Sequence, residues 1–288
     1  MRVLITGATG MIGRVTATTL ARRAEVWTTS RTPIDSPTHL VADLTELRDV
    51  ERLATAVEPD AVIHLAGETG RDEAALHQGN VVATQQLLST VSNTTRIIVV
   101  GSAAEYGDHQ QDLIDETDAT RPVTAYGRSK LAQTEAARSI AAKRAIQLTI
   151  ARPFNVVGPD LPTSTAIGNA TERIRTTARG GHTTLTVGRT DIVRDWVPVR
   201  FVADALATMA LSSASSGVYN ICTGVGHRLD DVFDAIARSV GVDVDLITDP
   251  TLAALPAVDC VVGAPHRLET DFGLRCAPSV DDIAAAAW

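Results

Sequence analysis

Lysine is almost missing from this chain. Of 26 basic residues only Lys130 and Lys143 are lysines, and the remainder are arginines. Cysteine is equally scarce. Cys222, Cys260 and Cys276 are odd in number and lack metal-ligand spacing, so they read as reduced thiols and exclude a disulfide framework. No apolar run approaches the roughly 20 residues of a membrane span. The start MRVLITG reaches Gly7 without a basic region, apolar stretch and cleavage site, so no secretory leader is expected and a cytoplasmic location is. Repeats, heptads and low-complexity tracts are absent. Excess positive charge is absent too: a formal net charge of −8 argues against nucleic acid or an anionic membrane as partner. At 288 residues, 44% hydrophobic and 21% charged, the chain can bury a sizeable core.

What is present is an alternation. Short β-branched runs at 2–6, 24–30, 61–67, 96–102 and 146–153 are separated by helical patterns to about Arg23 and around Leu44–Val57, Asn80–Val91 and Tyr126–Lys143. Strands alternating with helices predict an α/β fold, a doubly wound parallel sheet covered on both faces. Ligands of such sheets bind beyond the carboxyl ends of the strands. From Gly158 the texture changes to GPDLPTSTAIGN, a boundary or substrate loop. Helical patterns at Ala170–Arg179, Phe201–Leu211 and Leu229–Val240, with strands at TTLTV and GVYNICTG, predict a smaller C-terminal α/β substrate domain. The expected division is 1–158 and 159–288, with 190–225 able to return to the first unit.

The first strand runs into GATGMIG, residues 7–13. Glycine spacing after a strand and before a helix lets the backbone turn tightly and approach a pyrophosphate, which the helix N-terminus favours. At the end of the second strand, where a carboxylate would select NAD, stand Thr29, Ser30 and Arg31. A hydroxyl and a guanidinium suit a 2′-phosphate, so NADP(H) is the preferred cofactor, with NAD(H) the alternative.

PVTAYGRSK places Tyr126 four residues before Lys130, on one face of a helix. RIIVVGS delivers Ser102 to the carboxyl edge of the sheet. A phenol is a poor acid–base group at neutral pH, and a neighbouring ammonium together with a cationic nicotinamide is expected to lower its pKa. This explains a lysine in a chain of arginines.

GATGMIG, VIHLAG, GSAAEYG, YGRSK and RPFNVVGP, in that order, resemble an extended short-chain dehydrogenase/reductase of the NAD(P)-dependent epimerase/dehydratase group. The resemblance covers essentially the whole chain. It implies a Rossmann domain followed by a sugar-nucleotide domain, with Ser102, Tyr126 and Lys130 as catalytic trio. Cofactor contacts implied are Gly7, Gly10, Met11, Ile12 and Gly13 at the phosphates, Ser30 and Arg31, Asp43 and Leu44 near adenine, Leu65, Ala66 and Gly67 beside ribose and phosphate, Tyr126, Lys130, and Pro153 with Phe154 near the nicotinamide. Ser102, Asn155 and Arg194 would meet the substrate, a nucleotide-diphosphate sugar, with no metal implied. A homodimer through the helices flanking the site is compatible with it.

Within the group, 4,6-dehydratases carry an acid, often Asp–Glu, directly after the catalytic hydroxyl residue. Here Ala103 and Ala104 occupy those positions, and Glu105 is expected to point elsewhere. Methyl groups cannot move the protons of an elimination. Hydride transfer remains, and the chain is most similar to reductases of nucleotide-linked 4-keto-6-deoxyhexoses. The alternatives are a 4-epimerase holding NAD tightly, a reductase of simple carbonyls, and a dinucleotide-sensing protein without catalysis. Relatives often carry a diphosphate-binding arginine where this chain has Leu255, which leaves Arg194, Arg189 or Arg267 for that task. Ala83 stands where glycine is usual. Asn80 is either a helix cap or a support for the active-site helix. His64 reads as packed, the acids at 230–231 and 281–282 as capping groups, and Trp196 and Trp288 as core or interface anchors.

Overall fold

The computed structural model describes residues 1–109, 113–177, 179–213, 216–254 and 258–288. Its first half alternates as the hydrophobic runs require: β1 (Arg2–Thr6), α1 (Met11–Leu20), β2 (Glu25–Ser30), β3 (His39–Val41), α2 (Leu47–Val57), β4 (Ala61–His64) and α3 (Glu73–Leu76). A π-type turn at His77–Val82 leads into α4 (Ala83–Thr90), β5 (Arg96–Val100), α5 (Ala125–Arg144) and β6 (Leu148–Pro153). Then follow β7 (Asn155–Val157), α6 (Ala166–Thr176), β8 (His182–Val187), β9 (Val193–Pro198), α7 (Val199–Leu211) and β10 (Gly217–Ile221).

Among the described residues, seven parallel strands form one sheet in the order β10-β6-β5-β4-β1-β2-β3. It is buried on both faces, which is why its strands read as continuous apolar runs rather than alternations. One face packs on Leu20 of α1 and Val202, Leu206 and Met209 of α7. The other packs on Val50 and Leu53 of α2, Leu87 and Leu88 of α4, and Ala137 and Ala141 of α5. The strand order reverses between β1 and β4, which opens a crevice at the carboxyl edge.

The later chain adds β11 (Gly226–Arg228), α8 (Leu229–Val240), β12 (Asp243–Thr248), α9 (Pro250–Ala253), β13 (Cys260–Val261), α10 (His266–Phe272) and α11 (Val280–Ala286). Strands β7, β9, β11 and β13 form a second sheet, and β8 pairs with β12. A separate core of Val157, Ile174, Trp196, Phe233, Ile236 and Ile283 lies here, so Trp196 is a core residue. Trp288 is partly exposed and donates to Ser239 Oγ at 3.0 Å. No helix of the described residues is long and apolar enough to cross a membrane.

Three elements differ from the sequence reading. The helix expected over 80–91 is interrupted by the π-type turn, whose extra residue turns Asn80 into the interior. Strand β9 has no apolar signature because Asp195, at a fully buried position, is satisfied by hydrogen bonds instead. Helix α6 begins inside the supposed loop, capped by Thr165, whose hydroxyl accepts Gly168 N–H at 3.1 Å.

Candidate active site

The glycine turn is built by close approach. Gly7 has φ +67°, and a Cβ there would lie 2.7 Å from Ala66 N. Thr6 Oγ1 accepts the N–H groups of Leu65 (3.2 Å) and Ala66 (3.1 Å), tying the β1 turn to the β4 loop. Gly13 packs the start of α1 onto the Gly7 carbonyl. Gly10 caps α1 without a capping side chain, and the first turn holds no acid. The helix N–H groups are therefore left for an anion.

These loops enclose a cavity of about 240 Å³. Gly7, Gly10, Ser30, Arg31, Asp43, Leu44, Leu65, Ala66 and Gly67, nine of the expected cofactor residues, line it with Glu68 and Gly79. Met11, Ile12, Gly13, Pro153, Tyr126 and Lys130 do not; Met11 faces Gly158, Ile12 packs on the first core, Pro153 is buried at the end of β6, and Tyr126 and Lys130 stand on α5. Ser30 is present but already spent: its hydroxyl donates to the Thr32 carbonyl at 2.6 Å, leaving Arg31 as the cationic donor. Asp43 is held below the usual carboxylate range by the Thr45 N–H and hydroxyl, and by Arg31, against its partial burial. A turn that only glycine fits, an uncapped helix start and an arginine at the cavity mouth suit a dinucleotide.

Ser102 follows β5, and its N–H donates to Glu105 Oε1 at 2.9 Å. Thr124 caps α5 by accepting Gly127 N–H at 3.0 Å, which puts Tyr126 in the first turn and Lys130 one turn later. A Cβ on Gly127 would collide with the Ala104 carbonyl, so only glycine lets the helix lie this close to the Ser102 turn. Ser102 lies close enough to the Tyr126 phenol to act on its pKa, and its hydroxyl accepts the Ala104 N–H at 3.1 Å. Asn80 supports this helix and is no cap: its amide donates to Ser129 Oγ at 2.9 Å, and Ser129 donates to the Tyr126 carbonyl at 2.8 Å. Asn80 also bonds both backbone groups of Glu68, at 2.9 and 3.1 Å.

The electrostatics depart from expectation at Tyr126. Its burial raises the phenol's pKa though the residue keeps some exposure, nearby Ser102 opposes this only in part, and Glu105 raises it further. The buried Lys130 ammonium donates to the Val100 carbonyl at 2.6 Å. Burial brings Lys130 down to about 8, with Glu105 opposing. The phenol of this state is therefore protonated, a proton donor rather than a base.

Glu105 folds back beneath its own turn, where a capping box ties its carboxylate to the Ser102 N–H, and it is closed off from solvent. Its carboxylate is fully buried, accepting Arg152 Nη2 at 2.8 Å, Arg152 Nε at 3.0 Å and Thr134 Oγ1 at 3.0 Å. The Arg152 guanidinium stacks over the Tyr106 ring at 4.5 Å. Sequence reasoning missed this pair, because partners 47 residues apart leave no local pattern. His64 bridges Thr6 at 2.8 Å and Thr84 at 2.9 Å; burial, aided by Lys130, lowers it to about 3, so the ring is neutral.

On the second sheet, Asn155 donates to the Asp195 carbonyl at 3.3 Å. Arg194 gives its guanidinium to the carbonyls of Val193 (2.8 Å) and Val258 (2.7 Å), and burial lowers its pKa. Arg189 is exposed and pairs with Asp191 and Asp259. Arg267 lies away from the glycine cavity. It stacks on Tyr219 at 4.6 Å beside Gly217, the amino end of β10, whereas the cavity opens at the carboxyl ends. Leu255 lies outside the described residues. The acids at 281–282 include a capping box, Asp282 with Ser279; Asp230 and Asp231 stand in the first turn of α8, where Asp230 accepts the Asp231 N–H at 3.0 Å and also pairs with Arg228.

Residues 3–222 match the model of the NAD dependent epimerase/dehydratase family. The chain belongs to that family. A family member from Pseudomonas aeruginosa, GDP-6-deoxy-D-mannose reductase, is 28% identical over 285 residues, 95% of this chain and 91% of its own. The dTDP-6-deoxy-L-talose 4-dehydrogenase (NAD(P)(+)) of Kitasatospora kifunensis is 31% identical over 268 residues, 86% and 82% of the two chains. Among solved structures, RMD from Pseudomonas aeruginosa complexed with NADPH superposes with a TM-score of 0.83 at 26% identity, covering 99% of this chain and 95% of that one.

Proposed function

We propose that this chain reduces the C4 ketone of a nucleotide-linked 4-keto-6-deoxyhexose with NADPH. One observation carries the reading. A protonated Tyr126 lies beside Ser102 beyond β5, next to a turn whose own carboxylate, Glu105, is locked in the core. Such a site can protonate an oxygen but has no acid placed for an elimination. The relatives named as a GDP-6-deoxy-D-mannose reductase and a dTDP-6-deoxy-L-talose 4-dehydrogenase support the substrate class.

The lining of the glycine cavity would hold the adenosine and phosphate end of the cofactor, with Arg31 toward a 2′-phosphate. When bound, NADPH supplies the hydride for C4. Tyr126 gives its phenolic proton to the C4 oxygen, and Ser102 donates a hydrogen bond to that oxygen as charge develops. Lys130 keeps two N–H donors beyond the one given to Val100, and these would hold the ribose. Its charge also steadies the phenolate left after proton transfer. Asn155 and Arg194 would bind the substrate.

Incubation with NADPH and a panel of dTDP-, GDP- and UDP-4-keto-6-deoxyhexoses tests this. Stoichiometric NADPH oxidation with a C4 alcohol as product is expected for one nucleotide. Interconversion of UDP-hexoses without added cofactor, by protein carrying bound NAD, would instead establish a 4-epimerase.

A further inference from the structure

The mouth of the glycine cavity holds an ion pair. Arg31 Nη2 lies 2.8 Å from Glu68 Oε1, and both residues line the cavity. Glu68 is a placed side chain. Its backbone N–H and carbonyl are both bonded by Asn80, and its stem lies against Gly79, where a Cβ would come within 2.5 Å of Glu68 Cγ. Gly79 sits in the π-type turn, so the same irregularity that turns Asn80 inward leaves room for the glutamate. Asp43 lines the same cavity, and Arg31 acts on it electrostatically. One guanidinium thus faces two carboxylates, and the Ser30 hydroxyl adds no donor because it is given to Thr32.

We infer that Glu68 is a specificity-determining residue: it competes with the cofactor's 2′-phosphate for Arg31 and so tempers the preference for NADP(H) over NAD(H). This rests on the reading of Arg31 as the 2′-phosphate ligand. Phosphate entry exchanges one anion for another on the same guanidinium instead of filling an unpartnered one. A cofactor with a 2′-hydroxyl leaves the pair intact. Because the Arg31 side chain is 68% exposed and that of Glu68 36%, solvent screens the pair and the competition is moderate.

Direct titration with adenosine 2′,5′-bisphosphate and with 5′-AMP tests this without turnover. Glu68→Gln keeps the stem and the backbone bonds to Asn80 and removes only the charge. It is expected to tighten bisphosphate binding by about three- to tenfold, with AMP binding changed less than about twofold. In an Arg31→Leu background the same substitution is expected to have no effect. Unchanged bisphosphate binding in Glu68→Gln, or equal tightening with and without Arg31, overturns the competition. If Arg31→Leu leaves bisphosphate binding unaltered whether or not Glu68 is replaced, the reading of Arg31 itself fails.

Discussion

In the proposed reduction, Tyr126 and Lys130 divide their work differently from a simple ammonium-activated phenol. Lys130 is anchored to Val100, and burial and Glu105 keep the phenol protonated, so in that reading the pair holds a proton ready for delivery. Tyr126→Phe removes that proton while keeping the ring. The turnover number is expected to fall about 10²- to 10⁴-fold with the unfolding midpoint nearly unchanged, measured by NADPH absorbance and thermal melting. A lysine passes from ammonium to amine as pH rises. With Lys130 at about 8, kcat/KM of the free enzyme should hold below that pH and decline above it. A profile flat through pH 8 and beyond would show that the Lys130 charge is not required.

At the scale of elements, the site is made where backbones come unusually close. The β1–α1 turn touches the β4 loop through Gly7, and α5 touches the Ser102 turn through Gly127. Gly7→Ala would force an L side chain into a left-handed conformation and against Ala66. The strain is roughly 1–3 kcal/mol before the collision is counted. A lowered melting temperature together with loss of dinucleotide binding in a fluorescence titration is expected. The π-type turn acts between elements as well. By placing Asn80 between Glu68 and Ser129 it couples the cavity mouth to the helix carrying Tyr126.

Across the whole molecule, Asp195 joins the two sheets. Its carboxylate accepts the Thr223 N–H and hydroxyl, the Gly224 N–H and the Gly263 N–H, which lie beyond β10 and β13. Burial pushes its pKa up against those donors. Asp195→Ala would leave several buried donors without partners, a loss of roughly 3 kcal/mol or more. Its neighbours Arg194 and Asn155 should lose their placement with it. Denaturant unfolding reads the first effect, and a KM for sugar nucleotide that rises more than the KM for NADPH reads the second.

Much of this was legible without coordinates, for a physical reason. The parallel sheet, the glycine turn and the Tyr126–Lys130 face each depend on spacings within a few residues, which strand and helix periods convert directly into geometry. Only tertiary structure could decide the partners of the charged groups. Arg31 meets Glu68 across 37 residues and Lys130 meets Val100 across 30. Such pairings depend on where loops end in space, and a carboxylate in a sequence looks the same whether it faces water, as Asp191 does, or lies sealed beneath the Ser102 turn, as Glu105 does.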